Sequence, residues 1–140
     1  MVEVAVRFEW EDRGAVVLDA DGRIRFPAVD RSPGLYRFML ARADGREVYI
    51  GETVELRRRL QQYRTPGSGQ QTNLRMNARM MEHLRQGHPV RLAVVESVAG
   101  EVGGRVLALD LGRKEVRTLA ESAALVAAEN EGSAAVVNRL

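Results

Sequence analysis

Gly34-Leu35-Tyr36-Arg37-Phe38-Met39-Leu40, then Ala43-Asp44-Gly45-Arg46, then Glu47-Val48-Tyr49-Ile50-Gly51: two β-rich runs lie either side of an Asp-Gly. Apolar and aromatic runs of this length about such a dipeptide predict an antiparallel hairpin turning at Asp44-Gly45. Thr53 follows at once and is expected to cap a helix that puts Leu56 and Leu60 on one face and Arg57, Arg58, Arg59, Gln62 and Arg64 around the others. Pro66 to Gln71 reads as a loop. Thr72 is expected to cap a second helix with Leu74, Ala78, Met81 and Leu84 on its apolar face, closed by Gly87 in the left-handed conformation.

Outward from this centre the pattern returns to strands. Val2, Val4, Val6, Phe8 and Trp10 alternate with Glu3, Ala5, Arg7 and Glu9, the period of a half-buried strand. Ala15–Leu18 and Ile24–Phe26 form a second hairpin-like stretch about Asp19 to Gly22, ended by Pro27. Downstream, Val90–Val95 and Val106–Leu111 are apolar strand candidates joined through Gly100, Gly103 and Gly104, and a long helix runs from about Arg113 to Asn130. The order predicts an α+β domain with a small antiparallel sheet flanked by helices, residues 31–140, preceded by an N-terminal β extension over residues 1–30.

The 140 residues contain no cysteine and two histidines, His83 and His88, which rules out thiolate nucleophiles and Cys/His zinc sites while leaving a hard, oxygen-bound metal possible. His83 and His88 are expected on the surface. No apolar run approaches the roughly 20 residues of a membrane span, and the opening residues carry neither a basic lead nor an apolar core, so a cytoplasmic protein with no membrane attachment is expected. Lys114 is the one lysine beside 20 arginines. Residues 1–30 hold four basic and seven acidic side chains, residues 31–91 twelve and five, and residues 92–140 five and seven, so a strongly basic middle hides behind a net charge of +2. Forked guanidinium groups concentrated in this way suit a polyanion such as nucleic acid.

Gly34-Leu35-Tyr36, twelve residues, Tyr49-Ile50-Gly51 and then an arginine-bearing helix resemble the signature of the GIY-YIG nuclease superfamily. Arg59, eight residues after the second triplet's glycine, Glu121 in the late helix and Asn138 near the end extend the resemblance over about residues 33 to 140. It implies a GIY-YIG-like fold and hydrolysis of DNA phosphodiesters with one divalent ion, Mg²⁺ or Mn²⁺. By the same resemblance Tyr36 would be the general base, taking a proton from the attacking water directly or by relay. A free phenol ionises near pH 10, so its phenolate costs about 4 kcal/mol at neutral pH unless a cation stabilises it. Tyr49 would orient the water or the phosphate, and Arg59 would neutralise charge growing on phosphorus. Glu121 would hold the metal and Asn138 would position Glu121 or a water at the ion. Gly51, Thr53, Arg57, Arg58, Gln71, Asn73, Arg75 and Arg79 are the expected nucleic-acid contacts. Two departures stand out. Four residues after Arg59 many relatives carry His where this chain has Tyr63, and the gap between triplets is longer than is common, which an enlarged turn would absorb.

The residues also admit plainer roles. Tyr36 and Tyr49 could be cross-strand partners in a core sheet, Arg57 to Arg59 a solvated helix face, and Glu121 the i+4 ion-pair partner of Arg117. Glu129 competes with Glu121 on the same helix, and Asn138 could be a mere terminal residue. The 66–71 loop lacks the Gly-Lys-Ser/Thr of a phosphate-binding loop, so an NTP site is not expected. A nucleic-acid-binding module without turnover is the alternative to an endonuclease, and a purely structural domain the weakest reading. With little length beyond the core, specificity is expected from DNA structure, from homodimerisation or from a protein partner.

Overall fold

A computed structural model describes residues 1–131 and 134–139. Among these residues nine strands and three α-helices follow one another: β1 (Val4–Arg7), β2 (Glu11–Leu18), β3 (Ile24–Arg25), β4 (Gly34–Arg42), β5 (Gly45–Thr53), α1 (Leu56–Arg64), α2 (Gln71–Arg85), β6 (Val90–Val95), β7 (Val98–Val102), β8 (Arg105–Leu109), α3 (Lys114–Glu129) and β9 (Ala134–Val136), with a 3₁₀ turn at Val137–Arg139. The protein is α+β. Six strands form the main sheet in the order β3-β2-β6-β4-β5-β9, antiparallel except for the β5–β9 pair, and β1-β7-β8 form a second antiparallel sheet.

The central hairpin forms as its sequence directs. β4 and β5 pair without a break from Gly34↔Thr53 to Arg42↔Gly45, so the turn is only Ala43-Asp44. The enlarged turn expected from the twelve-residue gap is not there. Two nine-residue strands in continuous register take up the length instead. β6 pairs on the other side of β4, and β2 on the far side of β6, which carries residues 11–25 into the main sheet. β1 pairs with β7, a strand the glycines at 100, 103 and 104 concealed from the sequence pattern. Gly103 and Gly104, both at positive φ, make a two-residue turn into β8.

Side chains alternate across the main sheet, so each face has its own core. Tyr36, Phe38, Leu40, Tyr49, Leu92 and Val94 pack with Leu56, Leu60 and Tyr63 of α1 and Met76 and Met80 of α2. Leu35, Val48, Ile50 and Val95 pack on the opposite face against Val116, Ala120, Ala124 and Ala128 of α3. The small residues of α3 let that helix lie close across β5, β9 and β4.

Both helix starts differ from expectation. Thr53 closes β5, and its hydroxyl bonds the backbone of Glu55, which occupies the N-cap position of α1 without a side-chain cap bond. The Leu56 N–H is satisfied by the Ser32 carbonyl at 2.9 Å, so tertiary packing replaces the cap. Thr72 lies inside α2, which starts one residue earlier, at Gln71. The buried stripe of α2 is Asn73, Met76 and Met80, while Leu74 and Ala78 are exposed and Met81 and Leu84 pack at its margin. Gly87 does follow the helix at φ +79°.

Candidate active site

The site grows from the position of Gly51. Tyr36 lies opposite Gly51 in the β4–β5 ladder, and its ring leans across that residue. A Cβ at position 51 would stand 2.2 Å from the Tyr36 hydroxyl oxygen, so only glycine admits the tyrosine in this pose. The hydroxyl then meets Tyr63 Oη at 2.9 Å and accepts a hydrogen bond from Arg59 Nε at 3.1 Å. Arg59 and Tyr63 sit one turn apart on α1, with the guanidinium carbon 5.2 Å from the Tyr63 ring centre. Gln62 accepts from Arg59 Nη1 at 3.1 Å and fixes the other end of the fork. Tyr49 completes a ring of aromatics, 6.5 Å from Tyr36 and 6.3 Å from Tyr63 between centroids, with Phe38 edge-on to Tyr63 at 4.9 Å.

Burial dominates the electrostatics. It pushes the Tyr36 phenol up to about 12, against the opposing pull of Arg59 and the bond from Tyr63. Ionising Tyr36 at neutral pH therefore costs about 7 kcal/mol, more than for a free phenol, and the group is a neutral hydroxyl in this state. Tyr63 is raised further, by burial first and then by the neighbouring tyrosines. Burial works against the charge on Arg59, but attraction to Tyr36 and their hydrogen bond outweigh it, so its pKa is raised. Arg59 also lines an open cleft of about 300 Å³ with Gly69, Gln70, Gln71, Thr72 and Asn73 at the start of α2. Arg59 is thus the residue shared by the cleft and the buried Tyr36 hydroxyl.

The carboxylate half stands across the edge of β5. Among the described residues β9 pairs with β5 at residues 46–48. Asn138 then continues the ladder with its side chain: its Oδ1 accepts from Ile50 N at 2.9 Å and its Nδ2 donates to Ile50 O at 2.6 Å. Beyond it, at Glu52, lies Glu121. Burial raises the Glu121 carboxyl above its usual range, the charge of Glu52 adds to this, and Lys114 and a hydrogen bond from the Glu52 amide offset part of it. The Glu121 carboxyl and the Tyr36 hydroxyl thus approach neighbouring residues of one strand from opposite faces of the sheet.

The chain shares its fold with bacteriophage T4 EndoII. The solved structure of a Glu-to-Ala mutant of that protein superposes with a TM-score of 0.55 at 18% sequence identity, covering 84% of each chain. No family model matches the sequence, and no curated protein matches it.

The other expected contacts divide. Gln71 and Asn73 line the cleft beside Arg59, though Asn73 is itself buried and donates to Gln70 Oε1 at 3.1 Å. Arg58 and Arg75 are exposed. Arg57 Nε is tied to the Val29 carbonyl at 3.2 Å on the opposite flank of α1. Arg79 is committed to Glu47 through two bonds of 2.9 and 2.8 Å, which holds α2 on β5. His83 is half-buried, one nitrogen 3.2 Å from the Arg79 carbonyl, and His88 is exposed.

The sequence did not point to Gln62, Gln70, Glu52, Lys114 or the true partner of Arg117. Arg117 is buried and pairs with Glu52 Oε2 at 2.7 Å, not with Glu121. Gln62, at i+3 from Arg59, and Glu52, directly after the motif glycine, were adjacent to recognised residues and could have been found from that spacing.

No helix among the described residues is long and apolar enough to cross a membrane. Nor do three or more His, Asp or Glu side chains converge among them. An ion here would take a Glu121 oxygen and fill its other positions from water and phosphate oxygens, the habit of Mg²⁺. A half-buried carboxylate that makes no ion pair among the described residues fits that donor set.

Proposed function

We propose that the protein is a metal-dependent endonuclease of the GIY-YIG type acting on DNA, with residues 31–140 as the nuclease domain and 1–30 as its β extension. One observation carries the reading: Arg59, Tyr36 and Tyr63 form a buried hydrogen-bonded set over Gly51, with Glu121 at the next residue of the same strand. A fold shared with a protein named as a phage endonuclease supports it.

In this reading a phosphate enters the cleft at the start of α2 and meets Arg59. Gln71 and Arg75 touch the backbone of the strand, and Arg58, on the exposed face of α1, adds to the attraction. Arg59 neutralises the charge that builds on the phosphoryl oxygens, fixed beforehand by Gln62 and by Tyr36 so that little reorganisation is needed. Tyr36 first gives up its own proton to solvent; the phenolate, 3.1 Å from Arg59 Nε, then takes the proton of the attacking water and returns to the neutral hydroxyl, while Tyr49 walls that water in. Tyr63, which has no solvent exposure, acts by holding the Tyr36 hydroxyl in place. Glu121 would hold Mg²⁺ or Mn²⁺, and the ion when bound polarises a phosphate oxygen and stabilises the departing 3′-oxygen. Asn138 keeps Glu121's surroundings in register by pinning the chain end to Ile50.

A supercoiled-plasmid assay tests this. Wild-type protein with Mg²⁺ or Mn²⁺ is expected to nick or linearise the plasmid, and Tyr36→Phe and Glu121→Ala are expected to leave it intact while melting cooperatively. Salt-dependent DNA binding with no metal-dependent cleavage on plasmid, single-stranded or branched DNA would point instead to a binding module that lacks turnover.

A further inference from the structure

Lys114 is the only lysine in a chain with 20 arginines, and it stands where a cation is least welcome. It opens α3, at the positive end of that helix's dipole. Spacing explains what it gains there. Lys114, Arg117 and Glu121, at i, i+3 and i+7, lie along one stripe of α3, and that stripe faces Glu52 on β5. Arg117 is fixed. Its Nη1 donates to the carbonyls of Leu111 at 3.0 Å and Gly112 at 2.9 Å, and its Nε takes Glu52 Oε2. The other oxygen, Oε1, is held by the Lys114 ammonium.

Arg117 alone would neutralise Glu52. The second cation balances the second carboxylate, since Lys114 also draws on Glu121. Two carboxylates and two cations thus come to zero net charge with no ion bound. A divalent ion brought to Glu121 would leave the group at +2, unless a cation withdraws. Arg117, 8% exposed and tied to two carbonyls, cannot move away, whereas the Lys114 side chain is 69% exposed on a flexible stem.

Resting on the reading that Glu121 receives the metal, we propose that Lys114 is a built-in counter-cation that occupies the Glu52–Glu121 pair and is displaced when a divalent ion arrives. Glu52, held by Arg117, is the positioning residue that keeps this exchange local. Lys114 therefore sets how tightly the ion is held. A compact ammonium suits the role better than a guanidinium, whose two-pronged bond to Glu52 would resist displacement.

Calorimetric titration of Mn²⁺ into the full chain, without DNA, tests the exchange. Lys114→Met is expected to tighten the Mn²⁺ Kd about tenfold, Lys114→Arg to leave it equal or weaker, and Glu52→Gln to weaken it about tenfold, from the loss of one unit charge at short range. The Mn²⁺ concentration for half-maximal plasmid cleavage should fall in Lys114→Met with the maximal rate retained. Thermal melts separate folding defects from these shifts, and a purely structural lysine would lower the melting temperature without moving the Kd. If Lys114→Met and Lys114→Arg both bind Mn²⁺ like wild type while Glu121→Gln does not bind it, the counter-cation role is wrong and the metal site stands. If wild type takes up no Mn²⁺ at millimolar concentrations, both fall together.

Discussion

The two faces of the β4–β5 hairpin support their share of the site by different physics. On one face Tyr36, Tyr49, Tyr63 and Phe38 are packed ring against ring, with Arg59 at the rim and the Arg79–Glu47 pair farther along β5. On the other, α3 offers alanines to the sheet, and its functional stripe is ordered by ion pairs among Glu52, Arg117 and Lys114. One half is held by volume and hydrogen bonds, the other by charge. The aromatic half reaches this end of β5 because position 51 has no side chain. The comparison teaches that the same catalytic loss can come with opposite effects on stability, and that each half should fail under a different solvent condition.

The largest effects are catalytic and expose the first contrast. Glu121→Ala and Tyr36→Phe are each expected to reduce plasmid cleavage by about 10³-fold, as for loss of a group needed in the transition state. Their stabilities should part. Tyr36→Phe takes from Tyr63 and Arg59 the buried hydroxyl they share and should cost about 1–2 kcal/mol, whereas Glu121→Ala removes a carboxyl that burial and Glu52 already penalise and should be neutral or stabilising. Urea unfolding of the two variants measures this, and equal losses in both would break the comparison.

Next in size is the ion-pair support itself. Arg117→Met leaves Glu52 without its fixed partner and the Leu111 and Gly112 carbonyls without a donor, an expected loss of about 3 kcal/mol. Glu52→Gln keeps the shape and should lose less. If Arg117→Met unfolds at the wild-type urea midpoint, the α3 side is held by packing after all.

pH separates the halves by sign. Unfolded tyrosines release their protons near pH 10, while folded Tyr36 keeps its own to about 12. Its contribution is whole below pH 10 and lost as pH rises towards 12, at most about 3 kcal/mol, and Tyr63 acts in the same direction. Glu52 runs the other way. Burial would raise its pKa, but Lys114 and Arg117 hold it below the usual range, so its contribution is present above about pH 4.5 and lost as pH falls below that. Stability against pH should therefore lose part of its alkaline descent in Tyr36→Phe and part of its acid descent in Glu52→Gln.

The same contrast decides what could be read from the sequence. The hairpin, the aromatic face and Arg59 were legible because they depend on local order: a turn dipeptide, alternation, and one helix directly after the strand. The α3 half was not, since its partners lie 62 and 65 residues apart in sequence, and helical spacing alone offered Glu121 as the mate of Arg117. β7 was hidden by glycines that serve a turn and a close approach. Thr53 and Thr72 carry the chemistry of caps, but Ser32 and the packing of β5 supplied what local capping would have done.

The smallest expected effect tests the finest distinction within the tyrosine half. Tyr63 stands where a histidine could relay protons, yet burial raises its phenol above that of Tyr36, and it has no route to solvent. A proton passed to it has nowhere to go. A holding role predicts that Tyr63→Phe, which keeps the ring and leaves Arg59 bound to Tyr36, reduces cleavage only about tenfold, the worth of one hydrogen bond. Its rate should also rise with pH in parallel with wild type, since the same group still takes the proton. A relay predicts a loss near that of Tyr36→Phe and a changed pH dependence. Measuring the single-turnover rate of Tyr63→Phe between pH 6 and 9 distinguishes the two, and a 10³-fold loss would make Tyr63 part of the proton path and not its support.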